Sequence, residues 1–136
     1  HAARPIGYRL KRSLATTYAA RTMKWSGPLI FFFVLYHLAH FTWPGIAMGD
    51  YQHDPHDVYA NVVNGFRVPW VVAIYVVAQA LLGLHLSHGA WSLFQSLGLS
   101  HPRYDRLRRW LPRAFAFAVV GGNVAMPLAV LVGLVR

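Results

Sequence analysis

Apolar residues along this chain gather into three long runs, at about 25–46, 68–94 and 114–135, and none of the three contains a charged side chain. Each reaches the ~20 residues that a helix needs to cross the hydrocarbon layer of a bilayer. Turn residues sit at the breaks, at Pro44-Gly45, Gly98 and Pro112. The pattern predicts an all-α fold, a transmembrane helix bundle with three spans, preceded by a basic segment over 1–24. Within the first connection, "DPHDVYANVVNGF" predicts a short helix along the membrane surface, with Asp54 as N-cap, Pro55 at the first helical position and Gly65 at the stop. In the third run, Asn123 and Pro127 stand beside Gly121-Gly122, which predicts a kink and a close helix contact there.

Charge adds an orientation to the pattern. Arg4, Arg9, Lys11, Arg12, Arg21 and Lys24 precede the first run, and Arg103, Arg106, Arg108, Arg109 and Arg113, against Asp105 alone, lie between the second and third. Both regions should face the cytoplasm, because short cytoplasmic segments carry the excess of Lys and Arg. The first connection, with Asp50, Asp54 and Asp57 against Arg67, should lie outside, and so should the C-terminus. The five tryptophans, Trp25, Trp43, Trp70, Trp91 and Trp110, fall near the predicted span ends, as an interfacial belt requires.

Composition then excludes several classes. The net charge of +9 invites a nucleic-acid reading, but the basic residues flank membrane-length runs and do not line a phosphate-binding face. Cysteine is absent, so disulfides and thiolate metal ligation are out, and any metal must take histidine or oxygen ligands. No nucleophile–base constellation, phosphate-binding glycine loop or pair of buried carboxylates is present, which argues against self-contained hydrolytic or transfer chemistry. The chain opens on His1 with a basic stretch and no signal peptide, and is expected to be part of a longer protein.

The candidate chemistry lies in four histidines inside the apolar runs. "VLYHLAHFT" carries His37 and His40, and "LGLHLSHG" carries His85 and His88, each pair on one helical face at i, i+3. Polar groups at membrane depth are costly and mark interhelical bonds, water-filled cavities, proton or ion pathways, or cofactors. Neutral imidazole ligates iron, copper and zinc alike. Around His85 the same face presents Ala78, Gly89 and Ser92, which leave room for a flat macrocycle such as haem; around His37 the bulkier Phe33 and Phe41 make that argument weaker. At 1.5 Å per residue His37 lies roughly 18 Å into its span, in the outer half, and His85 roughly 26 Å from the outer start of its own, nearer the cytoplasm. Two haems would therefore sit at two depths. A metal or proton transporter that uses all four histidines is the competing reading. His53 and His56 in "QHDPHD" read as an exposed polar loop, His101 as a surface residue, and the arginine run as an inside anchor.

These stretches, "ARPIGY", "MKWSGPLIFFFVLYHLAHFT", "VPWVVAIYVVAQALLGLHLSHGAWSLFQSLGL" and "NVAMPLAVLVG", resemble the cytochrome b membrane subunit of succinate dehydrogenases and fumarate reductases, in its single-subunit, five-span, two-haem form. The resemblance covers nearly the whole chain and implies that the three runs are the last three of five spans. It implies that His37, counted from Ser26-Gly27, is an axial ligand of the outer-side haem b. The pattern H-x-S-x-G implies that His85, and not His88, ligates the cytoplasm-side haem, with His88 and His40 as pocket neighbours. The partner ligands, and much of the quinone site, belong by resemblance to the family's first two spans. The implied function is a membrane anchor and electron-transfer subunit, not itself catalytic, of succinate:quinone oxidoreductase or fumarate reductase in a bacterial plasma membrane. The implied partners are a flavoprotein, an iron–sulfur subunit and a quinone, by resemblance menaquinone. A haem b subunit of a different membrane dehydrogenase is the remaining alternative.

Overall fold

In a computed structural model the described residues are 18–43, 53–99 and 101–136, with side chains described from residue 22 onward. All regular structure in them is helical: α1 (Tyr18–Phe41), α2 (Val58–Phe66), α3 (Pro69–Ser96), a 3₁₀ turn (Pro102–Tyr104) and α4 (Asp105–Leu131). The basic segment up to residue 17, the Pro44-Gly45 break and Asp50 lie outside the described residues.

Local chemistry sets most of the boundaries. α2 begins where the Asp57 carboxylate accepts the Ala60 N–H at 2.8 Å, which satisfies one of the amides a helix start leaves open. Asp57, and not Asp54, is therefore the cap. Asp54 is used otherwise: one carboxylate oxygen accepts the His56 N–H at 2.8 Å, and its backbone is clasped by the Asn61 side chain, so Pro55 falls in the turn before the helix. α3 starts behind an extended Val68 with Pro69 at its first position, where the missing N–H costs nothing. It stops at Gly98, whose φ of 71° lets the chain turn back so that the Leu99 N–H reaches the Phe94 carbonyl at 3.0 Å.

Two further boundaries differ from expectation. Gly65 does not stop α2 but lies inside it, and Pro112 does not start the last long helix but lies within α4, buried. Proline removes one hydrogen bond to the preceding turn, and the 27-residue helix carries that loss at both Pro112 and Pro127.

α1 packs against α3, and α3 against α4, each pair antiparallel, while α2 caps the end where α1 stops and α3 begins. The core lies at this α2 end: Val63, Phe66, Val71, Val72, Tyr75 and Val130, with Phe33, Tyr36 and Phe41 against them. Gly121 and Gly122 make no close contact, since a Cβ at either would meet nothing within 4 Å. The close approach of α3 to α4 is at Gly83, where a Cβ would fall 3.0 Å from a Val120 methyl.

Burial is inverted relative to a soluble domain. Ser26, His40, Asn61 and Gln79 are buried, while Trp25, Phe31, Phe32 and Phe117 are 60–81% exposed. Two helical segments, Pro69–Ser96 and Pro102–Leu131, are long and apolar enough to cross a membrane, and few of their residues are buried within the chain. α1 does not meet the same test; Lys24, Ser26, Pro28, His37 and His40 dilute its apolar stretch.

Candidate functional site

At the α2 end, one hydroxyl gathers two histidines. The Tyr75 hydroxyl of α3 lies 3.1 Å from His37 Nδ1 and 3.0 Å from His40 Nδ1, so the i, i+3 pair of α1 converges on a single oxygen. A phenol has one hydrogen, so it donates to at most one of these nitrogens and must accept N–H from the other. The tautomers of His37 and His40 are thereby linked. Aromatic rings hold the group in place: Tyr36 stacks on His40 at 5.8 Å, Phe41 lies 4.1 Å from the same ring, and Phe66 meets Tyr75 edge-on at 4.8 Å.

The two rings differ in access. His40 is fully buried under α2, whose backbone comes so close at Gly65 that a Cβ there would stand 2.9 Å from His40 Cε1. His37 is exposed and lines a cavity of about 450 Å³ between the helices, with Phe33, Tyr75, Gln79, Gly122 and Asn123 among its walls. Asn123 donates to the Gln79 carbonyl oxygen at 3.1 Å, which closes the α3–α4 wall with a polar clasp. The bare backbone at Gly122 contributes to the open volume rather than to helix packing.

Toward the other end of the α1–α3 seam the roles reverse, and α1 supplies the hydroxyl. Ser26 Oγ lies 3.1 Å from His85 Nδ1 and donates its own hydrogen to the Met23 carbonyl at 3.1 Å. Along α1, Ser26 and His37 are about 16 Å apart at 1.5 Å per residue, so the two hydroxyl-held imidazoles lie at well-separated levels. Among the described residues neither His37 nor His85 engages Nε2 in a hydrogen bond. Holding Nδ1 with a hydrogen-bond partner and leaving Nε2 open is how metal-ligating histidines are ordinarily oriented. Both rings thus fit axial ligation of a haem, and small neighbours leave His85 half-buried rather than sealed: Gly27 and Gly89 face it and Met23 at ordinary contact distance.

The remaining histidines do not join this arrangement. His88 packs 5.9 Å from Trp91 and shares no hydroxyl with His85. His56 is exposed, and the Asp54 carboxylate beside it is spent on the His56 backbone amide. His101 has a structural task that its surface position did not suggest, as its Nδ1 accepts the Arg103 N–H at 3.2 Å and caps the 3₁₀ turn. Of the arginine run, Arg108 is drawn in by Asp105 at 3.6 Å while Arg109 stays exposed. Among the described residues no three or more His, Asp or Glu side chains converge on one point, so the four histidines of α1 and α3 do not form one ion site.

Ser26 and Tyr75 were not among the candidates read from sequence. Tyr75 shows only as a hydroxyl inside an apolar run and Ser26 only as part of the Ser-Gly pair from which His37 is counted; their contacts with the histidines become visible once α1 and α3 are paired.

No curated protein and no solved structure matches the chain. The family model of the succinate dehydrogenase/fumarate reductase transmembrane subunit matches residues 3–125, and the chain, whose described residues form helices with buried polar groups and exposed apolar faces, belongs to that family.

Proposed function

We propose that the chain is a haem b electron-transfer subunit that anchors succinate dehydrogenase or fumarate reductase in the membrane. In this reading it passes electrons between an iron–sulfur partner, itself served by a flavoprotein, and a membrane quinone, with menaquinone the quinone by resemblance. The observation that carries the reading is the pair of imidazoles, His37 and His85, each held through Nδ1 by a hydroxyl from the facing helix and each with Nε2 open.

In this account His37 and His85 would each hold a haem iron through Nε2, at two levels of the α1–α3 seam. Haem, when bound, supplies a one-electron carrier; the protein sets its position and surroundings. Tyr75 and Ser26 fix ring orientation, and the Phe33, Phe41 and Phe66 rings pack around Tyr75 and keep it buried. α1, α3 and α4 all span the bilayer, with the Arg103 to Arg113 stretch on the cytoplasmic side and α2 and the C-terminus outside. The arginine-rich end then faces the iron–sulfur partner. His40 and His88 stay in the protein as neighbours rather than ligands.

The test is to add succinate to membranes that contain the whole complex and follow the b-type α-band. The account expects the band to appear on succinate addition and to decline when an oxidised quinone analogue is supplied. A complex that oxidises succinate and reduces quinone with no b-type absorbance at all would sink the reading.

A further inference from the structure

We propose that Ser26 is the positioning residue that selects Nε2 of His85 as the iron-binding nitrogen; this rests on the reading of His85 as a haem ligand. Neutral imidazole carries one N–H and one lone pair, and the partner of one nitrogen decides which is which. Ser26 is 1% exposed and its hydroxyl has a single hydrogen, which goes to the Met23 carbonyl. What it presents to His85 Nδ1 at 3.1 Å is therefore a lone pair, and Nδ1 must carry the hydrogen. Nε2 is left unprotonated and able to bind metal. If Ser26 turned its hydrogen toward Nδ1 instead, it would give up the Met23 bond, and the ring would hold its hydrogen on Nε2, where it blocks ligation.

The contrast with the other level gives this weight. Tyr75 meets Nδ1 of both His37 and His40, so the tautomer of His37 is tied to that of His40. His85 has no such competitor, since His88 lies off against Trp91. Ser26 alone sets the state of His85. An Nδ1–H that is hydrogen-bonded to oxygen also makes the imidazole a stronger donor to iron, which favours the ferric state.

The test is made on the intact complex in membranes, by redox titration and low-temperature EPR of the b haems, with Ser26→Ala, Ser26→Thr, Tyr75→Phe and His85→Ala. His85→Ala identifies which haem belongs to this level. In Ser26→Ala that haem is expected to shift to a more positive midpoint potential with an altered low-spin EPR signal, or to be lost, while the other haem keeps its values. Ser26→Thr, which retains the hydroxyl, is expected to return it to the wild-type values, and Tyr75→Phe to move only the other haem. Wild-type potentials and EPR signals in Ser26→Ala overturn the proposal and leave the haem reading intact. Equal loss of the haem in Ser26→Ala and Ser26→Thr also overturns it, since packing and not the hydroxyl would then be at work. Retention of both haems in His85→Ala removes the haem reading itself, and the role of Ser26 with it.

Discussion

Substitution separates residues that the sequence makes look equivalent. His85 and His88 share a face and a spacing, but Ser26 reaches only the first. His88→Ala is therefore expected to leave the b-haem content of the purified complex unchanged, whereas His85→Ala lowers it by one haem; pyridine haemochrome assay reads the difference. Tyr75→Phe keeps the ring that packs on Phe66 and deletes the shared oxygen, leaving His37 and His40 without it. Removing a hydrogen-bond partner from a buried polar group costs about 1–3 kcal/mol, so the variant complex should melt at lower temperature than wild type, measured by the loss of the b-haem Soret band. The four histidines were legible in the sequence because an ionisable group in an apolar run is conspicuous. Ser26 and Tyr75 were not, because a hydroxyl in a helix can satisfy itself on the preceding turn, and only pairing across two helices gives it a second duty.

Among the elements, α2 shows how far local rules reach. Its existence and place followed from the Asp-Pro start and the apolar "VYANVV", yet its cap lay three residues beyond Asp54 because that carboxylate serves the His56 amide. Asp57→Ala removes the working cap and should destabilise the helix by about 1 kcal/mol, visible as faster hydrogen exchange of the amides of residues 58–61. Gly65 was read as a stop for its backbone freedom; what demands glycine there is the His40 ring, 2.9 Å from where a Cβ would lie. Gly65→Ala should push α2 off His40 at a cost of about 1–3 kcal/mol, read in thermal melts of the complex. Pro112 and the Gly121-Gly122 pair misled for a related reason. A proline costs one hydrogen bond, which a long packed helix absorbs, and a small residue tightens a contact only when the facing helix crosses at that level, which here happens at Gly83.

At the scale of the whole molecule, the apolar exterior and the polar seam place the chain's stability outside itself, in lipid and in whatever surrounds α1, α3 and α4. The orientation proposed above can be checked directly, because the chain contains no cysteine. A single cysteine at His101 should react with an impermeant maleimide only from the cytoplasmic side, and one at Val58 only from outside; the reverse pattern would invert the topology. The three long helices of the described residues and their antiparallel order were visible in the runs of apolar residues, since length and charge flanks are properties of single segments. The seam that brings Ser26 to His85 and Tyr75 to His37 is a property of two segments at once. The most direct test of the central claim is haem stoichiometry with reduced-minus-oxidised spectra on the assembled complex carrying His37→Ala, His85→Ala or both. The account predicts one b haem lost in each single variant, a different one in each, and neither haem left in the double; two intact b haems in either single variant would contradict it.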